Sequence, residues 1–391
     1  MTRPDGPVHL RHMRRDNLRT VLLAITDAPG SRSDLAQRTG LTKASITNLV
    51  EPLLRQQILI EDAALGSGRG RPSRTLRFHP EAPVALGAEI NVGHLAVAVR
   101  GLDGSTRSHQ RVAVDNRHRG TDHIVDHLAD LIRVAVHECG NPVLGVGLAV
   151  PGILRDGVVA RAPNVAGLVD APVGERLSAA LGGVDVMVDN EANLAAFGEL
   201  WPHRLVGDDF VYVSGDVGIG MGIVTGGRLY RGVTGFAGEL GHVSIERRGR
   251  ACTCGSRGCV EQYAGLDAVM ASSGYPGPDT LQAALERGEG RARAAVEDAG
   301  AALGVALAAV LNIIDVTTVI LGGTYAALFE HLAPAVQSEL DTRVLAATQR
   351  SITVVASPQQ GAAVVLGAAG IIANRGCLAP ESLTNTGPVP P

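Results

Sequence analysis

Apolar residues first recur at helical spacing in residues 10–30, "LRHMRRDNLRTVLLAITDAPG". Leu18, Val21, Leu22 and Ile25 fall on one face, and Pro29-Gly30 closes the run. Nothing periodic precedes it, so residues 1–10 are expected to be disordered. In "SRSDLAQRTGLTKASITNLVEPLLRQQILI", residues 31–60, Ser33 is placed to cap a short helix running to Thr39, which Gly40 breaks. Thr42 then caps a second helix over 42–55, with Ile46, Leu49, Val50 and Leu53 on one face. Pro52 removes the bond to the Asn48 carbonyl and should bend this helix. Helix, glycine turn, helix is the helix-turn-helix pattern. The β-prone runs "QQILI" and "TLRFH" flank "AALGSGRGRPSR" and predict a β-hairpin wing, its Gly-rich stretch doubling as an interdomain linker.

From Pro83 the pattern changes to Val-rich strands alternating with Ala-rich helices. Strands are expected in "PVALGAEI", "LAVAVRGLDG", "VLGVGLAVPGIL", "VDVMVDN" and "TVILGG", and a glycine-rich strand–turn–strand in "DFVYVSGDVGIGMGIVTGGRLYRG". Helices are expected in "GTDHIVDHLADLIRVAVHECG", "EANLAAFGELW", "ARAAVEDAGAALGVALAAVLNIID" and "QGAAVVLGAAGIIANRG". This alternation predicts doubly wound α/β lobes behind an N-terminal winged helix-turn-helix. The boundaries read as 1–80 for the head with its wing and 81–380 for the body, followed by a disordered tail at 381–391. Within the body, one lobe spans about 81–190 plus the C-terminal helix, and the other about 191–360.

Charge sharpens the division. The 391 residues carry a formal net charge of −4, but residues 1–80 hold 13 Lys/Arg against 7 Asp/Glu, leaving 22 against 32 for the rest. A basic head on an acidic body points to a nucleic-acid-binding module joined to a ligand or catalytic module. Lys43 is the only lysine in the chain, and with Ser45, Thr47 and Asn48 it lies opposite the apolar face of helix 42–55. Short polar side chains and one cation suit a helix that enters the major groove. Arg69, Arg71 and Arg74 make the wing cationic and thin enough for the minor groove. Without an 18-residue apolar run or the core of a signal peptide, no membrane partner is expected and the location is expected to be cytoplasmic, where thiols stay reduced.

That compartment makes the cysteines informative. Three of five lie in "CTCGSRGC" as Cys252, Cys254 and Cys259, and Gly255 and Gly258 let the loop wrap an ion. His242, ten residues upstream of Cys252, supplies a fourth ligand, and three cysteines with one histidine close the shell of a structural zinc, one per chain. The rival readings are a redox loop and unligated thiols, but there is no Cys-x-x-Cys pair.

"GFAGELGHVSI…CTCGSRGCVEQYAG" resembles the signature of the ROK family, whose members are repressors, open reading frames and sugar kinases. The resemblance runs from the helix-turn-helix to the last helix, and the N-terminal winged helix is similar to that of the family's transcriptional regulators. It implies a two-lobed actin/hexokinase-like (ribonuclease H-like) α/β fold. It also implies sugar binding through Gly152, Asn164, Asn190, Glu191, Glu239, His242 and Glu261. Carboxylates accept the adjacent hydroxyl donors of a pyranose.

Three departures from the family's kinases coincide. In "EINVG", Asn91 and Val92 replace the glycines whose backbone approaches phosphates. In "SGDVGIG", Asp216 brings a carboxylate to the second phosphate turn. In "DNEAN", Glu191 replaces the catalytic aspartate, and one extra methylene moves the base by about 1.5 Å. The expectation is therefore a non-enzymatic, sugar-responsive transcriptional regulator, a repressor of a palindromic operator that works as a homodimer or homotetramer. The alternative is an ATP-dependent, glucokinase-like ROK sugar kinase with an attached DNA-binding domain.

Overall fold

The computed structural model describes residues 6–384 apart from 63–73, 156, 163, 205 and 217, together with 386 and 389. In the head, α1 (Gly6–Asp27), α2 (Arg32–Thr39) and α3 (Lys43–Arg55) pack on a small sheet. That sheet joins β1 (Gly30–Ser31), β3 (Thr75–Phe78) and β2 (Leu59–Asp62), in that order and antiparallel. α1 starts at Gly6, so the expected disorder of residues 1–10 does not extend over 6–10.

The cap of α2 is Ser31 and not Ser33. The Ser31 hydroxyl accepts from the Asp34 amide while the Asp34 carboxylate accepts from the Ser31 amide, a reciprocal capping box. Thr42 caps α3 as expected, its hydroxyl accepting from the Ser45 amide at 3.1 Å. Ile46, Leu49, Val50 and Leu53 are buried, each contributing about 2 kcal/mol of apolar burial.

The body contains two five-stranded sheets of the same topology. In the first, β4 (Val84–Ile90), β5 (His94–Gly101) and β6 (Thr106–Ala113) form an antiparallel meander. After α4 (Thr121–Cys139), β7 (Val143–Val150) adds in parallel beside β4. A small hairpin, β8 (Ile153–Arg155) with β9 (Val158–Arg161), and α5 (Val173–Ala180) then lead to β10 (Val186–Asn190), parallel to β7.

In the second sheet, entered through α6 (Glu191–Leu200), the meander is β11 (Phe210–Gly215), β12 (Ile219–Thr225) and β13 (Arg228–Leu229). After the short helices α7 (Glu261–Ala264), α8 (Leu266–Ser273) and α9 (Pro278–Glu286) comes the long α10 (Gly290–Ile314). β14 (Thr318–Gly322) adds in parallel beside β11. α11 (Thr324–Ala327) and α12 (Phe329–Arg343) precede β15 (Thr353–Ala356), parallel to β14.

α10 is long and apolar enough by composition to cross a bilayer, although no such run was expected from the sequence. Some 56% of that stretch is buried inside the lobe, so its apolarity is that of a core helix. α13 (Ala363–Leu378) returns to the first lobe and packs between its sheet and α6. The approach is backbone to backbone: a Cβ at Gly147 would stand 2.1 Å from the Ala368 carbonyl, and one at Gly367 1.7 Å from that of Leu194.

Head and body share one hydrophobic cluster, in which Val21, Leu22 and Ile25 of α1 meet Leu102, Ile372, Ala373, Cys377 and Leu383. Leu383 belongs to a 3-10 turn over Pro380–Thr384, and it is buried. Residues 381–384 therefore depart from the disorder expected of the tail.

Candidate functional site

The point where β10 hands over to α6 organises the cleft between the lobes. Asn190 caps α6, its Oδ1 accepting from the Ala192 and Asn193 amides at 2.8 and 3.4 Å. Its Nδ2 donates to the Gly152 carbonyl at 2.9 Å, which leaves one amide hydrogen for a ligand. Gly152 has φ +98°, and a Cβ there would stand 2.1 Å from the Arg161 carbonyl, so only glycine fits this turn.

Glu191 occupies the first helical position of α6, facing the cleft. Burial, with the carboxylates of Asp216 and Glu89 nearby, pushes its pKa up to about 8. Opposite, Glu239 precedes a 3-10 turn over Leu240–His242, and its pKa is raised by burial above all. Glu261 opens α7, and its Oε2 accepts from the Ile219 amide at 3.3 Å. Gly152, Asn164, Asn190, Glu191, Glu239, His242 and Glu261 all line one cleft of about 1100 Å³.

Two bridges across this cleft had no signal in the sequence. Arg231, beyond β13, donates through Nε and Nη2 to Asp189 Oδ2 at 2.9 and 2.6 Å. Asp189 Oδ1 in turn accepts from Asn193 Nδ2 at 3.1 Å. Arg161 of β9 donates to the Thr253 carbonyl in the cysteine loop at 3.0 Å. Each pair joins residues far apart in the chain, and neither arginine lies in a recognisable spacing.

The ligand atoms of His242, Cys252, Cys254 and Cys259 all lie within 4.8 Å of one another. His242 Nδ1 is 3.7 Å from Cys252 Sγ, and Cys254 Sγ is 3.6 Å from Cys259 Sγ. A tetrahedral ion with metal–sulfur bonds of about 2.3 Å has sulfur–sulfur edges of about 3.8 Å. The donors therefore already stand at metal-binding separations. Burial beside the other thiols pushes the Cys259 pKa up to about 12, a cost that a cation at the centre would reverse.

The turn between β4 and β5 satisfies its own polar groups. The Asn91 amide donates to the His94 carbonyl at 3.0 Å, and the Gly93 amide to Asn91 Oδ1 at 3.2 Å. The Asn91 carbonyl accepts from Asn116 Nδ2 at 2.7 Å, and those of Val92 and Gly93 from the Asn116 and Val114 amides. In the second turn, Asp216 Oδ1 accepts from the Thr324 hydroxyl at 2.9 Å. The Asn91 and Gly93 amides are thus bonded within the first turn, and the Asp216 carboxylate is held by Thr324 in the second.

On the head, Lys43 and Asn48 are exposed, and Ser45 and Thr47 half-buried. The Thr47 hydroxyl donates to the Lys43 carbonyl at 2.9 Å, and that of Ser45 lies 2.9 Å from Thr42 Oγ1. Arg74 is exposed, 3.6 Å from the Glu61 carboxylate. Arg69 and Arg71 lie outside the described residues.

The ROK family model matches residues 85–375. A xylose repressor of Bacillus subtilis (strain 168) is 28% identical over 358 residues, 89% of this chain and 92% of the repressor. A glucokinase of Thermotoga maritima is 31% identical over 252 residues, 59% of this chain and 79% of the kinase. The crystal structure of a ROK family transcriptional regulator, a homologue of the E. coli MLC protein, superposes with a TM-score of 0.79. It is 24% identical and covers 96% of this chain and 100% of that one, so the two share the two-lobed actin/hexokinase-like α/β fold.

Proposed function

The chain belongs to the ROK family, and from that premise we propose that it is a sugar-responsive transcriptional repressor. It binds a palindromic operator through its head and a mono- or oligosaccharide in the inter-lobe cleft. One observation carries this reading: α13 serves both modules. Its Ile371, Asn374 and Leu378 line the cleft, while its Ile372, Ala373 and Cys377 share the hydrophobic cluster of α1.

In this reading α3 enters the major groove with Lys43, Ser45, Thr47 and Asn48, and Arg69, Arg71 and Arg74 follow the minor groove. Glu239, Glu261 and Glu191 accept sugar hydroxyls, with Asn164, Asn190 and the Gly152 backbone around them. One structural zinc ion, held by His242, Cys252, Cys254 and Cys259, has a closed shell and fixes Glu239 and Glu261 at either side of its loop. His242 binds it through one ring nitrogen and offers the other to the sugar. Sugar drawing the lobes together changes the spacing of the two heads in a cytoplasmic homodimer or homotetramer. A shift of a few ångströms weakens binding to half-sites about one helical turn apart.

The other reading, a sugar kinase carrying a DNA-binding head, asks the β4–β5 turn to donate amides of which Asn91's is bonded to the His94 carbonyl and Gly93's to Asn91 Oδ1. The test is a thermal-shift screen of the purified protein against neutral and phosphorylated sugars, followed by a coupled ATP assay with each binder. A stabilising sugar that releases DNA without turnover is the expected result. Sugar phosphorylation that is lost in Glu191→Ala would make the enzyme the primary reading.

A further inference from the structure

α1 contains a stretch, residues 12–16, in which every side chain is exposed. Its packed face runs from Leu18 to Thr26, whereas His12, Met13, Arg14, Arg15 and Asp16 are exposed in succession. Five successive exposed residues cover every side of a helix, so α1 runs past the bundle into solvent. Arg19 is paired with Asp16 at 3.4 Å, but among the described residues Arg14 and Arg15 meet no carboxylate. A helix segment without a packed face gains no tertiary stabilisation there. Charge is what it presents.

Its direction follows from how the head is mounted. α1 reaches the body by its C-terminal end, where Thr26 Oγ1 is 3.1 Å from the Leu102 carbonyl and 3.7 Å from Cys377 Sγ. α3 does the same: Gln56, Gln57 and Ile58 line a groove with Glu81, Pro83 and residues 139–142. Both helices therefore begin on the outer side of the head. At 1.5 Å per residue, Arg14 lies about 18 Å along the axis from Thr26, and Lys43 about 18 Å from Arg55. Arg74, 71% exposed, marks the near end of the wing segment.

We propose that Arg14 and Arg15 form a third basic contact to DNA, holding the phosphate backbone beside the groove that α3 enters. Guanidinium groups match phosphate oxygens in pairs and keep their charge at every physiological pH. This rests on the DNA-binding reading above and adds to it a contact that carries affinity without sequence preference.

The experiment uses the full chain and two duplexes of equal length, one selected by the wild type from a randomised pool and one of mixed sequence. Arg14→Gln/Arg15→Gln should flatten the slope of log affinity against log salt by about two, and weaken both duplexes by at least roughly tenfold at 0.1 M salt. Arg14→Lys/Arg15→Lys should restore most of the slope. Unchanged slope and affinity, with Lys43→Ala losing preference for the selected duplex, would overturn the α1 contact while DNA binding by α3 stands. A wild type that selects no duplex would overturn both readings. An unchanged slope with altered mass by sedimentation would assign this stretch of α1 to a second copy of the chain.

Discussion

Glu191 has two predicted consequences at the scale of one side chain. Its pKa is about 8 in the folded chain, against an ordinary value of 4.5. Between those values the folded state holds a proton that the unfolded state has released, so stability should fall as pH rises through that window. Glu191→Gln is neutral throughout, and its melting temperature from pH 6 to pH 9 should decline less than that of the wild type by scanning calorimetry. A protonated Glu191 can also donate to a sugar oxygen, which a carboxylate cannot. Glu191→Ala should therefore weaken sugar binding by about 0.5–1.5 kcal/mol, read by calorimetric titration, and leave DNA binding without sugar intact. Equal pH slopes in wild type and Gln variant would remove Glu191 as the titrating group.

Among the elements, the cysteine loop and the α6–α13 pair show two ways of fixing a cleft. The loop between Leu240 and Glu261 has only small bridges for secondary structure, Ser244 with Cys259 and Ala251 with Arg257. An ion held by the four clustered donors would add to its rigidity. Cys254→Ser should lose the ion, by elemental analysis against about one zinc per wild-type chain. It should lose sugar binding with it, because Glu239 and Glu261 are no longer held. Full metal content in the variant would contradict the assignment. The helix pair needs no such staple. Gly147, Gly198 and Gly367 let α13 lie against both β7 and α6 at backbone distance, and a methyl group there would have to push main chain aside.

For the whole molecule, the decisive contact is between head and body. The Thr26 hydroxyl lies between the Leu22 and Leu102 carbonyls, at 3.1 Å from each, and is 4% exposed. Thr26→Val keeps the shape but removes the donor, which should loosen the junction by about 1 kcal/mol. If α13 transmits the state of the cleft to the head, the variant should bind sugar and DNA with wild-type affinity while releasing less DNA per bound sugar. Unaltered release would show that the signal passes by another route.

The sequence by itself determined the local structure. Thr42 before an apolar stripe specifies α3, alternation of Val-rich and Ala-rich runs specifies the lobes, and His242 with three closely spaced cysteines specifies the metal donors, because each rests on neighbours in the chain. It misplaced the α2 cap, since two serines stand at the start of this helix and only the backbone decides that Ser31 precedes it and faces the Asp34 amide while Ser33 lies within its first turn. It left out the Asp189–Arg231 and Arg161–Thr253 bridges, the closed hydrogen bonding of the β4–β5 turn by Asn116, and the docking of α1 on α13. Each of these joins residues tens to hundreds of positions apart. Spacing along the chain carries no information about such pairs; only the packing of two sheets around α6 and α13 brings them within hydrogen-bonding reach.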